Sequence, residues 1–120
     1  MSGFIEVKRI DSLDLPRPKL PPDPANCCIL VEAQIGPKGS EASELFRFEV
    51  VTCSYLAENP IARWGRGLLL LPEFSWAHVD RMVARVVAGA RGTDWGSSAR
   101  NLSRTLDWEF DGYVPHAPAS

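Results

Sequence analysis

The sequence predicts an α+β fold: an antiparallel β-sheet of about four to five strands, with two C-terminal helices packed on one of its faces. Two observations predict it. Segments with apolar residues at every second position come first along the chain, and segments with apolar residues at three- and four-residue spacing come later. Size agrees, since 120 residues with 45% hydrophobic and 23% charged side chains match one ordinary domain with a core and a charged surface. The single domain is expected to span 1–120, with a globular core over 4–113 and a mobile Pro/Ala tail over 114–120.

Residues 4–10 are β-branched and roughly alternating, which predicts a first strand. Five of the ten prolines then fall between Ser12 and Asn26. A segment lacking those backbone donors joins neither a helix interior nor a central strand, so it reads as an extended connector over the surface. From Cys27 to Ile35, Ile29, Val31, Ala33 and Ile35 share one face, and Glu32 and Gln34 the other. From Leu45 to Cys53, Phe46, Phe48 and Val50 point in while Arg47 and Glu49 point out. Between them, Gly36 to Ser43 carries two glycines and a proline, the composition of a turn, so the two strands form a hairpin. Its register follows from the faces. Pairing Val31 with Phe48 and Ala33 with Phe46 keeps both faces consistent and sets Glu32 opposite Arg47.

Ser54 to Pro60 offers a cap, one turn of helix formers and a stop. Leu68 to Leu71 has no polar alternation, which predicts a strand buried on both faces, central or helix-covered. Val79, Met82, Val83, Val86, Val87 and Ala90 form one helical stripe, with Ser75 as its cap and Asp80, Arg81 and Arg85 on the solvent face. A weaker helix runs from about Asp94 to Leu106, capped by Thr93, with Trp95, Ala99, Leu102 and Leu106 on one side. Asp107 to Tyr113 alternates strongly, as a short last strand.

Thirteen basic against fifteen acidic side chains leave a net charge of −2. The broad basic field that grips nucleic acid or an anionic membrane is missing, so neither is expected as a partner. The longest apolar runs, Cys27 to Val31 and Leu68 to Pro72, fall far short of the ~18 residues that cross a bilayer, and Met1 to Glu6 has no basic region leading into an apolar stretch. The reading is cytoplasmic. Three cysteines, two of them adjacent, imply no disulfide framework; Cys27, Cys28 and Cys53 are expected to be small buried hydrophobes. His78 and His116 stand far apart and no CxxC pair exists, so no metal and no cofactor is expected. Neither Gly65-Arg66-Gly67 nor Gly36-Pro37-Lys38-Gly39 lies between a strand and a helix, the context a phosphate loop requires.

No catalytic constellation emerges, since a nucleophile, a base and an orienting group must converge. The residues from 76 to 104 carry five arginines against two aspartates. That face reads as solvated and balanced by neighbouring acids, with an electropositive docking surface as the other reading. Trp95 and Trp108 fit apolar faces. Trp64 lies among Ala62, Arg63, Gly65 and Arg66, and an aromatic beside arginines in a loop has the composition of a binding hot spot.

Asp23-Pro24-Ala25-Asn26 entering a strand, Ala33 to Gly39 with Ile-Gly-Pro-Lys-Gly inside a hairpin, Phe46 to Val50 followed by Thr52-Cys53 and Leu56-Ala57, then Trp95 and Trp108-Glu109-Phe110 together resemble the immunity protein 8 family over roughly residues 4–113. The resemblance implies a small cytosolic protein encoded beside a bacterial polymorphic toxin, which binds and neutralises it by stoichiometric occlusion and is not an enzyme. Candidate partner contacts are Lys38, Glu41 and Glu44 at the hairpin tip and Arg63, Trp64 and Arg66 in the loop. Glu41, Glu44, Glu49 and Glu58 against Arg47 make the hairpin region acidic, which suits steering toward a basic toxin. The alternative is a small enzyme or ligand-binding domain with a site near Cys53, His78 and the proline-rich connector.

Overall fold

The computed structural model describes residues 4–60 and 66–108. Strand β1 (Ile5–Asp11) is followed by the proline connector, then β2 (Cys28–Pro37) and β3 (Glu44–Thr52), a short helix α1 (Cys53–Glu58), β4 (Leu68–Leu71), helices α2 (Trp76–Ala90) and α3 (Trp95–Leu102), and β5 (Asp107–Trp108). The α+β class, the five strands and the two C-terminal helices are as the sequence predicts. The expected strand over 107–113 is seen at its first two residues, and the remainder, with the tail, lies outside the described residues.

Strands β1, β2 and β3 pair antiparallel, with Val31 opposite Phe48, Ala33 opposite Phe46 and Glu32 opposite Arg47. This is the register that side-chain alternation predicts, and the Arg47 Nε–Glu32 Oε2 distance of 3.0 Å closes the expected cross-strand pair. Val31, Ala33, Ile35, Phe46 and Val50 are completely buried, and they form one core with Val79 and Val83 of α2 and Ala99 and Leu102 of α3. The two helices therefore cover the inner face of the sheet. Ser75 caps α2 by accepting the His78 N–H, again as predicted.

Strand β4 departs from expectation. It pairs parallel to β3, Glu49 with Leu68 through Thr52 with Leu71, and ends the path β1-β2-β3-β4. Leu71 is buried but Leu70 is 49% exposed, so the strand is covered on one face only. A run of four leucines has no alternation to reveal which face lacks cover. The parallel pairing follows from residues 53–67, a crossover containing α1 and long enough to return the chain to the same end of the sheet. Because β2 occupies one edge of β3, both β4 and β5 lie along its other edge, β5 at Phe46 and Arg47.

Gly67 joins these pieces. Its carbonyl accepts the Glu49 N–H at 2.8 Å and its N–H donates to Thr105 at 2.8 Å. Its φ is +73°, a left-handed conformation that glycine adopts without a Cβ penalty.

Three local readings are corrected. The cap of α1 is Thr52, not Ser54; its hydroxyl accepts the Tyr55 N–H and also the Cys27 N–H, so one buried side chain serves the helix and the start of β2. Helix α3 ends at Leu102, four residues early, and its cap is Asp94 rather than Thr93, in a reciprocal capping box with Ser97. Cys53, expected to be buried, is exposed, because the cap at Thr52 turns the chain out of the sheet and places the cysteine on the first turn of α1; Cys27 is buried and Cys28 half-buried.

The proline connector docks rather than merely crossing the surface. The Arg17 guanidinium makes a two-pronged pair with Asp80 of α2 at 2.9 and 2.7 Å and lies 4.7 Å from the Trp76 ring centre. The Trp76 indole N–H donates to the Lys19 carbonyl, and the Phe74 N–H to that of Pro24. Asp80, placed by the helix pattern on the solvent face, is thus engaged.

Candidate functional site

The hairpin tip is a turn held from both sides. The Ser40 N–H donates to the Pro37 carbonyl, closing a turn in which Gly39 takes φ +82°. Lys8 of β1 reaches across: its ammonium donates to Glu6 and to the Pro37 and Ser40 carbonyls. The Gly39 N–H donates to Glu6 in turn, and these donors hold the Glu6 carboxyl below its ordinary range, Lys8 contributing most. Lys38 and Glu41 stand exposed on this tip, which is therefore a preformed projection. Lys8 and Glu6 escaped the sequence reading because neither carries a signal beyond strand alternation.

Glu44 is placed differently from its tip neighbours. Its carboxylate accepts the Trp95 indole N–H at 2.5 Å and the Trp108 indole N–H at 2.7 Å, tying the start of β3 to α3 and β5. Both rings also pack on Phe46, Trp95 edge-on at 6.3 Å and Trp108 stacked at 6.1 Å. One carboxylate oxygen serves each indole, a charge-assisted arrangement that fixes two large rings in one geometry. The residue read as a contact thus serves the fold first.

Arg63 and Trp64 lie outside the described residues. Arg66, just before β4, has a half-exposed side chain with its Nε 3.5 Å from Asp107 Oδ1. Arg66 lies beside the first half of β3: β4 runs parallel to that strand with Leu68 opposite Glu49, and Asp107, which Arg66 approaches, stands opposite Arg47, three residues after Glu44. Arg66 thus stands on the β5 side of β3, whereas Lys38 and Glu41 lie in the turn that joins β2 to β3.

Next to Arg66 lies an apolar groove of about 230 Å³ between β4 and α2, lined by Leu68, Leu69, Met82 and Val86 among others. It shares Val86 and Thr105 with a more polar cleft between α2 and α3, where Arg85 and Arg104 stand. A third hollow, of about 430 Å³, lies where β1 passes into the connector, lined by residues between Arg9 and Arg17.

Cys53 and His78 do not line that hollow. Cys53 opens α1, and His78 sits in the first turn of α2, where its backbone N–H is taken by the cap; no hydrogen bond joins the two among the described residues. Burial pushes the Cys27 thiol up from its ordinary value, away from the thiolate a nucleophile requires. Among the described residues no group of three or more His, Cys, Asp or Glu is placed to hold a metal ion, and no helix is long and apolar enough to cross a membrane.

No curated protein and no solved structure matches the chain. The Immunity protein 8 family model matches residues 5–113, from the first residue of β1 to beyond β5. That span takes in the whole sheet, both C-terminal helices, the tip and the groove. The chain belongs to the Immunity protein 8 family, a family of immunity proteins of toxin systems and not a family of enzymes.

Proposed function

We propose that this protein binds the toxin domain encoded beside it and neutralises that toxin by stoichiometric occlusion, in the cytoplasm of the bacterium that makes both. Membership of an immunity-protein family over residues 5–113 is the observation that carries the reading. The hairpin tip supports it. Lys38 and Glu41 project from a turn already held by Lys8 and Glu6, so ordering that loop on binding costs little, and a preformed contact loses less entropy than a flexible one. Lys38, Glu41 and Arg66 are the proposed contacts among the described residues, with Arg63 and Trp64 proposed from the sequence; Glu44 contributes by fixing the base of the tip.

Co-expression tests this. Cells carrying the adjacent toxin gene under an inducible promoter should survive with this chain and die without it, and the two proteins should co-purify. Death in the presence of abundant folded chain would remove the reading.

A further inference from the structure

We infer that the groove between β4 and α2, together with the arginine cleft it runs into, receives an acidic segment of the cognate toxin that carries one large apolar side chain. The inference rests on the proposed function and names a surface and a partner chemistry for it.

Two properties meet at this surface. The first is apolar shape. Leu68, Leu69, Met82 and Val86 line an open hollow of about 230 Å³, whereas a cavity of about 150 Å³ already holds a benzene ring. A single leucine or aromatic side chain fits such a hollow. The second is charge. Arg85 and Arg104 line the adjoining cleft, both exposed, and neither has an ion-pair partner among the described residues. The nearest acid on α2, Asp80, is committed to Arg17 through two hydrogen bonds, so it does not neutralise this end of the helix.

The chain as a whole has a net charge of −2, so a locally cationic cleft runs against its overall sign. Two arginines, one on α2 and one in the turn that follows α3, beside one apolar hollow, fit carboxylates flanking an apolar anchor. The same surface disfavours a basic segment, which would bring like charges together.

The test is titration of the purified adjacent toxin domain with the wild-type chain and with three exposed-site variants, Arg85→Glu, Arg104→Glu and Arg100→Glu. Arg100 lies on α3 outside both hollows, so R100E makes the same charge change away from the proposed surface. R85E and R104E should each weaken binding by about tenfold or more, as for truncating or reversing one partner of an interfacial charge pair, with the loss shrinking at high salt. R100E should stay within about twofold, and R85E and R104E should melt like the wild type. Equal affinity in R85E, R104E and wild type would overturn this inference, as would an equal loss in R100E, which would signal bulk charge instead of a site. Failure of the wild-type chain itself to bind would instead remove the proposed function.

Discussion

The two edges of β3 are built by different means. Along one, β2 pairs continuously from Cys28 to Ile35, joined through a short turn and held in register by alternating side chains. Along the other, β4 covers Glu49 to Thr52 and β5 covers Phe46 and Arg47, two short pieces brought from distant parts of the chain. Local pattern suffices for the first edge. The second needs side-chain and backbone locks: Glu44 to Trp95 and Trp108, and Gly67 to Glu49 and Thr105. The apolar groove lies on this second side, lined by Leu68 and Leu69 of β4 and by Met82 and Val86 of α2.

The largest effect is expected where both edges meet. Phe46 is completely buried, pairs with Ala33 on one side and stacks on Trp108 on the other. Phe46→Ala should cost about 3 to 5 kcal/mol, read as a shift in urea midpoint, and should unfold both edges together. A loss below about 1 kcal/mol would mean the two edges do not share one core.

Glu44→Gln separates the edges. It keeps the shape of the side chain but leaves one carbonyl oxygen where two carboxylate oxygens served two indoles, so one indole N–H loses its acceptor. We expect a loss of about 1 to 3 kcal/mol with a change in tryptophan emission, while amide protection in β2 is retained until global unfolding. Equal loss of protection in β2 would show that the second edge is not a separate unit.

Arg47→Ala removes the cross-strand ion pair of the first edge, although Arg47 also stands opposite Asp107 of β5. The Arg47–Glu32 pair joins a half-exposed arginine to a largely covered glutamate on the open face, so its removal should cost less than about 1 kcal/mol and shrink further in salt. A larger loss would mean that register depends on this ion pair more than on the buried alternation of Val31, Ala33, Phe46 and Phe48.

The smallest effect should be at the start of α3. The Ser97 N–H, and then its hydroxyl, hold the Asp94 carboxyl below its ordinary range. A carboxyl depressed in the folded state contributes stability that is present above its unfolded value and lost as pH falls through its folded one. Amide exchange in α3 should therefore accelerate on acidification below the ordinary carboxylate range, and Asp94→Asn should flatten that dependence. An unchanged acid profile in the variant would detach the cap from the titration.

The same contrast explains what was legible in the sequence. The hairpin register, the stripe of α2 and its Ser75 cap are visible because residues two, three or four apart report directly on one face. The exposure and parallel direction of β4 are not, since four identical leucines carry no alternation and direction is set by the crossover before them. The tip contacts were legible in part. Lys38 and Glu41 are exposed on a turn that glycine and proline mark, but the double use of Glu44 depends on tryptophans 51 and 64 residues away. Asp80 was visible as a surface charge on α2, yet its two-pronged pair is with Arg17 of the connector. No local pattern carries that pairing.

The central claim is that the chain acts by staying bound to its toxin. Residual toxin activity, measured against increasing ratios of purified chain to purified toxin domain, tests it most directly. The account predicts a linear fall that ends at equivalence, with one complex of fixed composition and both proteins recovered intact. Complete inactivation by a small fraction of an equivalent, or full activity in the presence of excess chain, would contradict it.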